Sequence, residues 1–234
     1  MSVREEFDRW AREGRDRGME ERHWHTAKHA LARMPVEQGD YVVDLGTGSG
    51  YALRALRDQY DVDRAVGVDR SSEMLANARG YTEDSRVDYV QADFASLPFP
   101  SGSFDHAWSM EAFFYASRPI EVLREVRRVL RSGGTFYCAV NFFEESEHTH
   151  RWQDELDVEM LLWSREDYRE AFRRAGFYVA EQDCVPDRDV EIPPSEEFPL
   201  EEWDDRAIGE WETREQMVDR YRRWGTLLTV GVAP

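Results

Sequence analysis

Asp44, Asp69 and Asp93 each close a short apolar run, and the first is followed by Gly46, Gly48 and Gly50 in a G-x-G-x-G spacing. A strand that breaks into a tight glycine turn and then a helix aims backbone N–H groups and the positive helix end at a ligand, which suits nucleotide-like molecules. The dinucleotide pattern G-x-G-x-x-G is not met, because Tyr51 stands where Gly or Ala would open the helix. No Gly-Lys-Ser/Thr follows either, so a P-loop is excluded. Other side chains could move protons: His23, His25, Glu111 and Tyr115 are candidate acid–base groups. His25 and His29 are spaced to share a helix face, yet no Glu follows the first and no third ligand is recognisable, so no metal is expected.

The elements that must position these residues alternate regularly. Residues 41–46, 65–69, 87–93, 105–110 and 134–140 read as strands, with helical patterns over 50–58, 72–79 and 120–130 between most of them. "RSGG" after residue 130 reads as a helix stop before the fifth strand. Such alternation predicts parallel crossovers and a doubly wound α/β sheet with its ligand at the strands' C-terminal ends. Further on, Ser164 caps a helix that a Gly stops, and a sixth strand follows at about 177–185. A candidate helix at about 210–223 precedes a last strand, "TLLTVGV".

Taken together, "DLGTGSG", "GVDRSSEML" and "QADFASLPFPSGSFD" resemble the class I S-adenosylmethionine-dependent methyltransferases, in particular the branch typified by quinone-biosynthesis C-methyltransferases and small-molecule relatives. The resemblance runs from about Val42 to Phe143 and more loosely beyond. It implies a seven-stranded Rossmann-like sheet whose reversed last strand lies between the fifth and sixth. It also implies S-adenosylmethionine as cofactor, with Asp44, Gly46, Thr47, Gly48 and Gly50 around the methionine part and Asp69 on both ribose hydroxyls. Arg70, Met74 and Met110 are implied as further contacts, while Asp93 and Phe94 would meet the adenine. An ionised carboxylate only accepts hydrogen bonds and takes two hydroxyls at once, which suits the ribose role. Methyl transfer is an in-line displacement in which positioning supplies most of the rate, so no dedicated nucleophile is needed.

The division expected is an N-terminal helical lid (1–38), a cofactor-binding core (39–185), a cap inserted at 186–225 and the last strand (226–234). Trp10, Met19, His23, Trp24 and His25 would wall the pocket from the lid. Trp211, Val218, Tyr221 and Trp224 recur at nearly helical spacing on the insertion, giving an aromatic stripe suited to an acceptor pocket. The insertion is expected to be too short and polar for a core of its own.

Acids outnumber bases 48 to 30, for a net charge of −18, and Lys28 is the single lysine. That balance resembles proteins of salt-loving archaea and disfavours non-specific nucleic-acid binding, although molar salt would mask the repulsion. A small molecule is therefore the expected partner, with RNA or protein as alternative acceptors and a non-catalytic cofactor-binding module as a third reading. With no signal sequence or apolar span, a soluble, cytoplasmic protein is expected. Cys138 and Cys184 are too far apart for a zinc site and read as free thiols.

Overall fold

The computed structural model describes residues 2–156, 158–201 and 210–234. Two helices open the chain, α1 (Val3–Arg12) and α2 (Arg15–Leu31). The alternating part comprises β1 (Tyr41–Leu45), α3 (Tyr51–Tyr60), β2 (Arg64–Asp69), α4 (Ser72–Tyr81), β3 (Val87–Gln91), β4 (Phe104–Met110), α5 (Pro119–Val129) and β5 (Leu130–Val140). Short α6 (Trp152–Glu155), then α7 (Arg165–Ala175), β6 (Tyr178–Val185), α8 (Arg214–Met217) and β7 (Thr226–Val232) complete it.

Seven strands form one sheet in the order β3-β2-β1-β4-β5-β7-β6. All neighbours are parallel except β7, which runs antiparallel to both β5 and β6. This is the expected doubly wound, Rossmann-like sheet with its last strand reversed. Central strands read as unbroken apolar runs because helices cover both faces: Val42, Val43, Ala107, Trp108 and Phe136 are all fully buried. Strand order reverses between β1 and β4, so a crevice opens beyond their C-terminal ends. Asp44 and Trp108 are register partners at that switch, with Glu111 just beyond it.

Several local expectations are corrected. "RSGG" does not separate helix from strand, because β5 already starts at Leu130, opposite Phe104, and the register shifts before His106 meets Thr135. Gly133, at φ 81°, absorbs that irregularity while its N–H bonds the Ala233 carbonyl. The helix placed at 210–223 begins only at Arg214, behind a Thr213–Gln216 capping box, and widens into a π-helix over Val218–Trp224. That widening breaks the aromatic stripe. Trp211 and Tyr221 meet at 5.5 Å, whereas Trp224 turns to Phe143 in the main core. The insertion also has a small core after all, with Leu200, Trp211, Met217 and Tyr221 packed with Val190, Ile192 and Phe198. Residues 202–209 of the insertion lie outside the described residues. Cys138 is buried and Cys184 partly so, both free.

Candidate cofactor and acceptor site

At the C-terminal end of β1 the chain turns sharply, and the three glycines serve different ends. Gly46 (φ 76°) has no room for a side chain, since a Cβ there would lie 2.2 Å from the Cβ of Ala112. Gly50 is closed off by Tyr89, which would sit 2.1 Å from an added Cβ. Gly48 (φ 51°) faces open space, and its N–H donates to Asp69 Oδ2 at 3.1 Å. The Ser71 N–H donates to Asp69 Oδ1 at 2.9 Å, so each carboxylate oxygen holds one backbone donor and keeps a further lone pair. Burial raises the Asp69 pKa against these bonds. Burial likewise lifts Asp44 to about 7, opposed by the Thr47 hydroxyl beside it.

The cleft over this loop is lined by Asp44, Gly46, Thr47, Gly48, Asp69, Arg70, Met74, Phe94 and Met110 from the sheet side. From the two N-terminal helices come Phe7, Met19 and His23, together with Asp16 and Glu20. Glu20 is tied to Arg54 at 2.8 Å and to the Ser49 hydroxyl, whereas buried Asp16 keeps Oδ1 without a partner. Five carboxylates thus face the cleft, those of Asp16, Glu20, Asp44, Asp69 and Glu111, against the single guanidinium of Arg70. An acceptor-rich wall suits a cation bearing hydroxyl and ammonium donors and opposes a diphosphate. S-adenosylmethionine, with its sulfonium, ammonium and ribose, fits this set of acceptors.

A second cavity of about 450 Å³ adjoins the first. The two share Phe7, Met19, His23, Met110, Glu111 and Tyr115. Glu111 follows β4 with φ 54°, a left-handed conformation unfavourable for glutamate and held by its N–H bond to the Ala139 carbonyl. Its Oε1 is buried without a partner, and burial pushes its pKa up to about 8, opposed by Arg220 and Arg22. His23 is held neutral, its pKa lowered by burial and by Arg22 to about 3. Burial also raises Tyr115, so its hydroxyl stays protonated.

Not every residue singled out in the sequence lines the cleft. Asp93 sits beside it, paired with Arg70 at 2.7 Å and capping the turn through the Ala95 N–H. Gly50 serves packing. His25 lines the second cavity instead, with Nδ1 3.2 Å from Asp187 Oδ2, and Trp24 packs edge-on against Tyr51. Among the described residues no cluster of three or more His, Cys, Asp or Glu could hold a metal ion. Sequence reasoning missed Asp16, Glu20, Arg22 and Arg220. The first three lie on a charged helix where nothing in the spacing marks them out, and Arg220 lies within the π-helical stretch Val218–Trp224.

A family model described as a methyltransferase domain matches residues 43–138. A sterol 24-C-methyltransferase of Kluyveromyces lactis is 26% identical over 82% of this chain and 53% of its own length. A 2-methyl-6-phytyl-1,4-hydroquinone methyltransferase of Oryza sativa is 30% identical over 66% of this chain and 47% of its own. The chain therefore spans about half the length of the curated relatives it matches. A chain solved in a complex of the Haloferax volcanii Trm112 methyltransferase activator with a candidate methyltransferase is 60% identical, with full coverage of both and a TM-score of 0.94. Its source agrees with the salt-adapted composition.

That complex corrects the expectation about partners, which named a small molecule, disfavoured nucleic acid and foresaw no protein activator. A docking surface leaves no motif in a single sequence, and the charge argument bears only on phosphate backbones. No helix among the described residues is long and apolar enough to cross a membrane. From its sheet order, its acidic cleft and these likenesses, the chain belongs to the class I S-adenosylmethionine-dependent methyltransferases.

Proposed function

We propose that this chain transfers a methyl group to a small molecule held in the second cavity. The observation that carries the reading is the junction of the two cavities at Met110, Glu111, Tyr115 and His23. When bound, S-adenosylmethionine supplies an activated methyl group on a sulfonium. Asp69 would accept ribose hydroxyls on its free lone pairs, Asp16 and Asp44 would accept from the ammonium end, and Phe94 and Met74 would face the adenine. The Arg70–Asp93 pair would close that end. Residues 1–38 would act as the lid and 186–225 as the cap, together excluding water and aligning the acceptor, the main source of rate in such a displacement. Glu111, titrating near neutrality at the junction, is the best placed general base. His23 is too weak a base, Tyr115 remains a donor, and His25 is engaged by Asp187.

We propose in addition that a Trm112-type activator pairs with this chain, because the 60% identical relative was solved in such a complex. This likeness also supports a second reading, in which the acceptor is RNA or protein. Transfer of a labelled methyl group, measured with and without the activator against small molecules, total RNA and protein, tests both. Label only in a small molecule supports the first reading, label in RNA or protein the second, and none in any fraction speaks against catalysis.

A further inference from the structure

In a chain carrying a net charge of −18, the second cavity is locally cationic. Arg15, Arg22, Arg151 and Arg220 line it, against only two carboxylates, Glu111 and Asp187. Asp187 is already occupied. Its Oδ2 is on His25, and its Oδ1 accepts the N–H groups of Asp189 and Val190. Glu111 stands at the junction with the acidic cleft and makes no ion pair with these arginines.

Three of these arginines are not spent on the acids of the described residues. Arg15, Arg22 and Arg220 form no ion pair among the described residues, and Arg15 lies over the Trp10 ring at 4.2 Å. Arg220 is only 7% exposed, and its Nη1 donates to the Gly225 carbonyl at 2.6 Å. A buried guanidinium without an ion-pair partner is costly, and such groups persist where a ligand supplies the charge. Arg22 is exposed, so the two span the cavity from its solvent side inward. The remaining wall mixes aromatic residues, among them Phe7, Trp10, Trp152 and Tyr221, with polar ones such as His25, Asn141 and His148.

We propose that the acceptor is an amphipathic organic anion, a carboxylate or phosphate on an apolar body, whose charged group is held by Arg22 and Arg220. The inference rests on the reading above and deepens it by naming the acceptor class. Opposite charge in the two compartments then sorts the ligands: the acidic cleft takes the cationic cofactor and the basic cavity the anion. A bidentate guanidinium contact would also fix the acceptor's orientation.

Calorimetry on the full chain saturated with S-adenosylhomocysteine, at the lowest KCl that keeps it folded, tests this with 3-phenylpropionate, phenyl phosphate and neutral 3-phenylpropanol. The expected result is saturable binding of at least one anion about tenfold or more tighter than the alcohol, with Arg22→Gln removing that advantage. Arg220→Met should do the same; because it is buried and could unfold, the exposed Arg22→Gln variant decides. Anions that bind no better than the alcohol, or an advantage that survives Arg22→Gln, would overturn the proposal. Failure of S-adenosylhomocysteine itself to bind would instead count against the methyltransferase reading.

Discussion

Replacing Glu111 with Gln should stabilise the ligand-free protein at alkaline pH and change it little in acid. The carboxyl has an ordinary value of 4.5 and is pushed by burial to about 8. Between those values the folded state keeps a proton that the unfolded state has lost, so stability falls as pH rises. The full contribution is present below 4.5 and is gone once pH passes about 8. A rise from 4.5 to about 8 sets a limit of about 5 kcal/mol at ~1.36 kcal/mol per pH unit. Water entering beside the ionised group would reduce this to about 2 to 3 kcal/mol. His23 runs oppositely: lowered from 6.5 to about 3, it makes stability fall as pH drops through that range. Comparing variant with parent at each pH cancels His23 and Asp44. Urea unfolding in molar KCl from about pH 5 to about pH 9 is the assay. A variant advantage that grows with pH is expected; a constant difference would mean that Glu111 is not a desolvated carboxyl.

Asp69→Ala should weaken S-adenosylmethionine binding by about ten- to a hundredfold, from lost bonds to a charged acceptor, and unchanged affinity in calorimetry would remove it from the site. Gly46→Ala places a methyl 2.2 Å from the Ala112 Cβ at φ 76°. It should cost about 2 to 4 kcal/mol in urea unfolding, and a neutral result would show that the turn is looser than described. Thermal stability should rise from low to molar KCl as the net charge of −18 is screened; a flat melting temperature would deny the acidic surface that role. Co-expression with a Trm112 activator should give one co-eluting complex on gel filtration, and two separate peaks would count against the pairing.

Strands β1 and β2 were legible because each is a short apolar run that ends at a glycine turn or an acid, and "TLLTVGV" reads as a core strand wherever it inserts. Asp44 was legible as the acid that opens the glycine turn and Asp69 as the acid that ends the next strand, but their cofactor roles came with the family resemblance. Less could be read where tertiary packing overrides local pattern. Helix α1 carries a Ser2–Glu5 capping box in front of Phe7 and Trp10, a signal hidden under its dense charge. The insertion's core depends on Val190, Ile192 and Phe198 folding back on Trp211, contacts that no periodicity encodes. Arg220 lines the cavity from a π-helical stretch, whose residue positions a 3.6-residue period does not predict. A protein partner of the kind found with the 60% identical relative would leave no trace in the spacing of any motif.

The central claim is that the acidic cleft holds S-adenosylmethionine. Titration of the full chain with S-adenosylmethionine and, separately, with NAD in molar KCl tests it most directly. The account predicts saturable one-to-one binding of S-adenosylmethionine and none of NAD, whose diphosphate meets five carboxylates and one arginine. Tighter binding of NAD, or no binding of S-adenosylmethionine, would contradict it.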